Sequence, residues 1–223
     1  MNKPLLESLE IETAPNPQHA VIWLHGLGAD GNDFTPLVPE LRLHGAPAIR
    51  FVFPHASVRP VTINNGMSMR AWYDIFAPDL VRREDEQGLR ESQAAIEALI
   101  ARENARGIPS ENIVLAGFSQ GCAMTLQTGL RLEQKLAGLI GLSGYLPLAD
   151  KLENEHSAAN LKTPIFLAHG VQDPVVVLAR AQATHRKLLD MGYSVEWKTY
   201  DMPHSVCMEE VADIAEFLRK VLV

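Results

Sequence analysis

The chain is poor in cysteine, with only Cys122 and Cys207 among its 223 residues. Their spacing matches neither a zinc site nor a C-x-x-C redox motif, so both are best interpreted as small buried apolar side chains. A redox function would need a polar, partly exposed thiol. A chain without a framework of paired cysteines is typical of a reducing compartment, so we expect a cytoplasmic protein.

Long apolar runs and blocks of basic residues are also missing. No run approaches the roughly 18 residues that a membrane span needs. Glutamates interrupt the first residues, MNKPLLESLEIETAP, where a signal peptide would need an apolar core. Twenty scattered basic residues stand against 27 acidic ones, a formal net charge of −7. We therefore expect no transmembrane segment and no nucleic-acid partner.

The chain does contain a repeated alternation of short apolar runs and longer helical patterns. Most of the runs are continuously apolar, which favours strands of a mostly parallel sheet that is covered on both faces. They occupy residues 20–25, 49–54, 112–118, 136–144, 163–170 and 194–200, with a candidate edge strand at 5–13. Helical patterns cover residues 86–106, 120–132, 178–191 and 205–222. The alternation predicts an α/β fold, with one domain over residues 1–223.

Two intervals are too long to be plain connections, one over residues 54–83 and the other over residues 145–162. Neither is large enough for a separate cap domain. We expect surface loops close to the functional site, which is then fairly open to solvent.

The segment GFSQG, residues 117–121, follows a predicted strand and opens a predicted helix. This is the setting of a nucleophile elbow, G-x-S-x-G, whose strained turn exposes the serine at the carboxyl edge of the sheet. Gly117 and Gly121 lack Cβ atoms, so strand and helix can approach closely around Ser119. A glycine-rich turn with an ordinary N-cap serine has the same five letters, so the interpretation depends on other residues.

A serine nucleophile needs a base, and in this kind of fold an acid and then a histidine follow the serine along the chain. Four histidines follow Ser119. His185 lies inside a predicted helix and His156 in a charged loop. His169 lies at the end of a predicted strand, but no acid on a separate loop is available to orient it. His204 lies between the last strand and the last helix, so we predict that it is the base.

The acid should lie on a loop after a strand and before that histidine. Asp173, in LAHGVQDPV, follows a predicted strand by a few residues and is the candidate that we favour. Asp150 follows the preceding strand and is the alternative. Asp201 is only three residues from His204, so it is better interpreted as a turn residue. An Asp-Pro pair is also a common turn starter, which leaves a purely local role for Asp173 open.

Acyl transfer also needs donors for the negative charge that develops on the carbonyl oxygen. In this fold one donor is the N–H of the residue after the nucleophile, here Gln120, and another lies in the loop after an earlier strand. VIWLHGLGADG, residues 21–31, ends such a strand. His25 precedes Ser119 and is interpreted as a structural residue of that loop. GLGADG matches a dinucleotide motif by its letters alone, since no acid ends a second strand.

Taken together, VIWLHGLGADG, RAWYD, LAGFSQG, HGVQDPVV and HSV occur in an order and spacing that resemble the bacterial carboxylesterase and acyl-protein thioesterase family of α/β-hydrolases. The likeness covers the chain from about residue 18 to its end. It implies an α/β-hydrolase fold with a mostly parallel central sheet, helices on both faces and no large lid. It also implies a Ser119, Asp173 and His204 triad, an oxyanion hole from the N–H groups of Leu27 and Gln120, and commonly a homodimer.

Within the same resemblance, Trp72 of RAWYD matches a position beside the active-site groove and becomes a candidate substrate contact. A core aromatic that anchors a long loop is an equal alternative for this residue. Two positions depart from the family pattern. Cys122 stands where relatives often have glycine, which affects helix packing more than catalysis. Pro174 directly follows the proposed acid and can shift that loop slightly.

The sequence therefore predicts a serine esterase that forms an acyl-enzyme on Ser119, with no metal and no cofactor. Its substrate would be a small-molecule or lipid ester, with thioesters, lysophospholipids and acylated proteins as alternatives. A non-catalytic α/β-hydrolase-fold protein that binds an acylated ligand or partner is the competing hypothesis. A protein that only binds such a ligand does not require the serine, the acid, the histidine and the oxyanion loop together, so their joint presence favours the enzyme. Peptidase and dienelactone hydrolase activities remain open.

Overall fold

The computed structural model describes residues 5–76 and 84–222. Residues 77–83, the end of the predicted loop 54–83, lie outside the described residues, as do residues 1–4 and 223 of the predicted domain 1–223. The strands are β1 (Ser8–Glu12), β2 (His19–Leu24), β3 (Ile49–Pro54), β4 (Val58–Val61), β5 (Met67–Arg70), β6 (Ile113–Phe118), β7 (Gly138–Leu142), β8 (Ile165–Gly170) and β9 (Val195–Tyr200). The helices are α1 (Leu37–Glu40), α2 (Glu86–Ala105), α3 (Gln120–Gly129), α4 (Leu152–Glu155), α5 (Leu178–Asp190) and α6 (Met208–Val221).

Seven strands form one sheet in the order β1-β3-β2-β6-β7-β8-β9. All of them run parallel to their neighbours except β1, which pairs antiparallel with β3 at one edge. Strands β2, β3, β7 and β8 are buried along their whole length, as continuously apolar strands of a doubly covered sheet must be. The prediction of a mostly parallel sheet is confirmed, and the segment 5–13 contains the edge strand β1.

Helices cover both faces of the sheet, and alternate side chains of each strand divide the core in two. Ile22 and Leu24 of β2 belong to the cluster that includes apolar residues of α2 and α3. Val21 and Trp23 face the opposite cluster, where α6 packs. Each large apolar side chain buried in this way contributes roughly 1.5–3 kcal/mol to folding. No helix among the described residues is long and apolar enough to cross a bilayer.

The interval 54–83 contains more regular structure than a plain surface loop. Strands β4 and β5 pair antiparallel as a hairpin that continues from the end of β3. At its turn Asn65 and Gly66 have φ values of 55° and 73°. An Asn-Gly pair is a strong hairpin signal and could have revealed this element from the sequence. The hairpin adjoins the loop after β2, where the Gly28 N–H donates to the Arg70 carbonyl at 2.9 Å.

Glu210, in the first turn of α6, is a buried carboxyl close to the His204 loop. Burial raises its pKa from 4.5 to about 8; a backbone hydrogen bond at Cys207 acts in the opposite direction, and Asp213 adds to the rise. The folded protein therefore keeps this proton up to about pH 8, while the unfolded chain loses it near pH 4.5. Because the unfolded state binds fewer protons in this window, the free energy of unfolding falls as the pH rises through it.

We expect Glu210→Gln to raise the free energy of unfolding by roughly 1–3 kcal/mol at pH 8 and to change it little at pH 4.5. The amide remains neutral at both pH values, so the variant avoids the ionisation penalty. Urea unfolding at the two pH values measures the difference. Glu209→Gln, at an exposed neighbour, is the matched control. Equal effects of Glu210→Gln at both pH values would contradict the assignment of this proton.

Candidate active site

Ser119 lies between the last residue of β6 and the first residue of α3. Its backbone has a conformation that residues other than glycine rarely adopt. Its φ is 58° and its ψ is −117°. Its N–H donates to the Leu142 carbonyl at 2.9 Å and its own carbonyl accepts from the Ala123 N–H at 3.1 Å. A backbone of this kind costs of order 1–3 kcal/mol and persists only where the surrounding structure enforces it. The turn has the geometry expected of a nucleophile elbow.

The two glycines of GFSQG are required by close backbone contacts. A Cβ atom on Gly121 would lie 2.1 Å from the Leu24 carbonyl oxygen. A Cβ atom on Gly117 would lie 2.2 Å from the Gly121 carbonyl oxygen. In both cases the obstacle is backbone, which cannot rotate away as a side chain can. Strands β2 and β6 and helix α3 therefore meet around Ser119 at a distance that only glycine allows.

We expect Gly121→Ala to lower the free energy of unfolding by about 1–3 kcal/mol or more, because α3 would have to move away from β2. The same movement displaces Ser119, so the folded fraction should also lose esterase activity. Thermal unfolding and p-nitrophenyl butyrate hydrolysis measure the two effects. Gly45→Ala is the control, since a Cβ there meets nothing within 4 Å and adds only the cost of a positive φ. A Gly121→Ala protein with wild-type stability and turnover would contradict this packing.

Three polar side chains predicted from the sequence meet at this turn. The Nε2 atom of His204 lies 3.0 Å from the Ser119 Oγ, across 85 residues of chain. The Nδ1 atom of His204 lies 2.7 Å from Asp173 Oδ2, across 31 residues. His204 follows β9 and Asp173 follows β8, so both come from the carboxyl edge of the sheet. The arrangement can pass a proton from the serine to the imidazole while the carboxylate stabilises the imidazolium.

The Asp173 carboxylate is held on both of its oxygens. Its side chain is fully buried, and Oδ1 accepts the N–H groups of Val175 and Val176 at 2.8 Å and 2.9 Å. Oδ2 is left for His204. On the other side of the imidazole, the Phe118 ring packs with its centroid 4.7 Å away. These contacts fix both the direction of the carboxylate and the plane of the ring.

The competing acids and bases other than His169 have different partners or are exposed. Asp150 is exposed in the interval 145–162, and the Asp201 carboxylate accepts from the Gln172 side chain at 2.6 Å. His185 is stacked on Trp197 with centroids 5.1 Å apart. His156 is half-buried at the end of α4.

The loop after β2 is fixed by His25. Its Nδ1 bonds to the Gly26 carbonyl at 2.7 Å, and its Nε2 accepts the Ala56 N–H at 3.0 Å. Burial lowers the pKa of His25, which keeps the ring neutral, with the proton on Nδ1. The His25 carbonyl accepts the indole N–H of Trp72 at 2.9 Å. Both ring nitrogens are thus engaged within the loop, which agrees with a structural role.

The two backbone N–H groups predicted to bind the oxyanion belong to Leu27 and Gln120. A Cβ atom on Gly26 would lie 3.4 Å from the Ser119 Cβ, so the loop runs directly beside the serine. Within residues 5–76 and 84–222, the Leu27 N–H donates to no acceptor. The Gln120 N–H is the first of α3 and has no acceptor inside the helix. Both groups are positioned by elements that also hold the serine.

Trp72 is buried, with 1% of its surface exposed, and links two parts of the site. Its indole binds the loop at His25, and its backbone N–H donates to the Gln120 Oε1 at 3.0 Å. The Gln120 Nε2 donates in turn to the Tyr73 carbonyl at 2.9 Å. This geometry favours the anchoring alternative for Trp72, and direct contact with substrate stays a prediction. The link through the Gln120 side chain was missed, because the motif leaves that position free.

Cys122 lies behind the serine turn as a buried thiol. Burial raises its pKa to about 12, so it remains protonated at neutral pH. A Cβ atom on Gly144 would lie 2.4 Å from the Cys122 Cβ, which shows how tightly the side chain is packed. Cys207 is half-buried at the start of α6, and burial raises its thiol pKa as well. Across the described ranges, no group of three or more His, Cys, Asp or Glu residues is arranged to hold a metal ion.

Comparison with known proteins identifies the family of this chain. The sequence profile of the phospholipase/carboxylesterase family matches residues 7–222. The chain belongs to that family. Acyl-protein thioesterase 1 of Neurospora crassa is 44% identical, over 91% of this chain and 86% of its own length. The protein of the same name from Yarrowia lipolytica is 38% identical, over 90% of each chain.

Among solved structures, Arabidopsis thaliana SOBER1 superposes with a TM-score of 0.85 at 32% identity, covering 92% of this chain and 99% of its own. The α/β-hydrolase fold predicted from the motifs is confirmed. As a member of the phospholipase/carboxylesterase family, the protein is a hydrolase of carboxylic esters or thioesters. The enzymatic interpretation is therefore correct at this level, against the hypothesis of a non-catalytic binder.

Proposed function

We propose that Ser119 is the nucleophile, His204 the general base and acid, and Asp173 the group that orients the imidazole. Ser119 Oγ attacks the substrate carbonyl while His204 Nε2 takes its proton and then passes it to the leaving alcohol or thiol. A water molecule, deprotonated by the same nitrogen, hydrolyses the acyl-enzyme. The observation that carries the proposal is the chain of contacts at 3.0 Å and 2.7 Å from a strained serine to a buried carboxylate.

We further propose that the N–H groups of Leu27 and Gln120 bind the oxyanion. Their support is the position of the loop against the Ser119 Cβ and the lack of an acceptor for Leu27 within the described ranges. A donor of this kind contributes roughly 2.7–4 kcal/mol to the transition state. Fixed amides are suited to the task because they need no reorganisation when charge develops.

For the substrate, we propose an acyl thioester of a protein. The relatives at 44% and 38% identity are both named acyl-protein thioesterases. Exposed apolar side chains also lie next to the proposed acid along the chain: Val175 and Val177 are 63% and 57% exposed. Such side chains suit an acyl chain, because burying them against it removes apolar surface from water.

An S-palmitoyl peptide tests this substrate. We expect the wild-type protein to release the free thiol, measured with a thiol-reactive dye, and Ser119→Ala to release none. The same assay with the corresponding O-acyl serine peptide measures the preference for thioester over ester. If the protein hydrolyses p-nitrophenyl butyrate but releases no peptide thiol, it is a carboxylesterase and the thioesterase proposal is wrong.

The remaining expectations are a cytoplasmic location, a homodimer and a reaction without metal or cofactor, and we keep them as proposals. They are supported by the composition of the chain and by its resemblance to the family. Light scattering on the purified protein measures the oligomeric state. Turnover after exhaustive dialysis against a chelator measures any need for a metal.

A further inference from the structure

His169, rejected above as a base, lies directly against the proposed catalytic acid. It is next to last in β8, and its side chain is fully buried together with that of Asp173. Its Nε2 lies 2.7 Å from the Val176 carbonyl oxygen and 3.4 Å from Asp173 Oδ2. The same Oδ2 accepts the proton of His204 Nδ1 at 2.7 Å. Two imidazoles therefore face one carboxylate oxygen.

The contact with Val176 determines where the proton of His169 lies. A carbonyl oxygen can only accept, so Nε2 must carry the hydrogen. Burial lowers the pKa of His169, while the Val176 bond and Asp173 act in the opposite direction and His204 adds to the lowering. The ring is thus neutral, with Nδ1 unprotonated. It offers Asp173 an N–H dipole without a positive charge, so the full negative charge of the carboxylate remains available to His204.

In this position His169 lies against two residues of the loop 171–177, Asp173 and Val176. Val176 donates its N–H to Asp173 Oδ1 and receives the His169 N–H on its carbonyl. The carboxylate is then bounded by Val176 on the Oδ1 side and by His169 on the Oδ2 side. Without the His169 N–H, the Val176 carbonyl loses its partner. Val176 also donates its N–H to Asp173 Oδ1, so a shift of Val176 would turn the carboxylate and move Oδ2 out of line with His204.

We propose that His169 is a positioning residue for catalysis: its Nε2–H holds the Val176 carbonyl, and with it the loop N–H that fixes Asp173 Oδ1, so that Oδ2 stays in line with His204 Nδ1. The inference rests on the proposed function of the triad. The sequence signal is the spacing in HGVQD, four residues from the histidine at a strand end to the acid on the following loop.

Asparagine and glutamine separate this role from a purely structural one. Glutamine can place an amide N–H where Nε2 stands, whereas the shorter asparagine reaches only the position of Nδ1. We expect His169→Gln to keep kcat within about threefold of wild type, and His169→Asn to lower it by roughly 10- to 100-fold with little change in KM. His185→Phe, at a histidine stacked on Trp197 outside the site, is the matched control and should behave as wild type.

Proton NMR reads the His204–Asp173 bond independently of turnover. The short Nδ1–H···Oδ2 contact should give a low-field proton resonance in wild type, in Ser119→Ala and in His169→Gln, and the resonance should be lost or broadened in His169→Asn. Nitrogen NMR of the wild-type protein should find His169 neutral with its proton on Nε2. If the resonance is unchanged in His169→Asn, or if His169 carries its proton on Nδ1, the positioning role is wrong. An active Ser119→Ala protein would instead contradict the triad itself.

Discussion

Ser119→Ala is expected to lower kcat for p-nitrophenyl butyrate by roughly 10⁴- to 10⁶-fold while the protein stays folded. The substitution removes only the hydroxyl group, whose partner is His204 Nε2 at 3.0 Å. Alanine keeps the Cβ atom, so the backbone strain at φ 58° is unchanged and the melting temperature should move by only a few degrees. Initial rates and thermal unfolding on the same preparation measure both effects.

Ser143→Ala is the matched control for that experiment. Ser143 is also a buried serine with a positive φ, 47°, directly after a central strand of the sheet. It should keep nearly full turnover, because no proposed step passes through it. A fluorophosphonate probe should label the wild type and Ser143→Ala but not Ser119→Ala. Labelling or wild-type turnover of Ser119→Ala would move the nucleophile to another residue.

Asp173→Asn should lower kcat by roughly 10⁴-fold with little effect on KM. The environment of the side chain dictates how the amide would sit. The N–H groups of Val175 and Val176 keep an oxygen at the Oδ1 position, so the NH₂ group takes the place of Oδ2. It would then donate to His204 Nδ1 and force the ring proton onto Nε2. An imidazole in that tautomer cannot accept the proton of Ser119.

Asp150→Asn provides the comparison for the acid. Asp150 is exposed, and the structure places Asp173, not Asp150, at 2.7 Å from the His204 ring, so the change should leave kcat within about twofold of wild type. Steady-state kinetics of the two variants at several pH values separate loss of turnover from loss of binding. Full activity in Asp173→Asn together with inactivity in Asp150→Asn would reverse the assignment.

The sequence predicts best the elements that have a clear local pattern, such as a short apolar run or the elbow motif. The run 49–54 agrees with β3, which is buried along its whole length because a doubly covered sheet requires continuous apolar strands. The run 194–200 agrees with the half-buried edge strand β9 to within one residue. Helix α3 begins one residue after Ser119, as the elbow motif predicts, but ends at Gly129 and not at residue 132. Helix ends depend on packing and fraying, so the composition of a segment sets them only loosely.

Other features left only a partial pattern in the chain, such as the Asn65-Gly66 turn of the β4–β5 hairpin. The β4–β5 hairpin has strands of four residues with mostly exposed side chains, and such strands carry little apolar signal. The link from Trp72 through the Gln120 side chain joins segments 48 residues apart. His169 does not meet the sequence criterion for a base, because no acid follows it on a loop of its own. Its contact with Asp173 became visible only once the ring direction was known.

The amino-acid sequence by itself determined the strained turn at Ser119, since only glycine at positions 117 and 121 lets two backbones meet there. It also determined the order of the polar partners and the layered fold that carries them. The tertiary structure decided which histidine and which acid meet the serine. Parallel strands bring their carboxyl ends to one edge, so the loops after β6, β8 and β9 converge there although β7 lies between β6 and β8. Contact distances across 85 and 31 residues depend on that convergence, which no local pattern encodes.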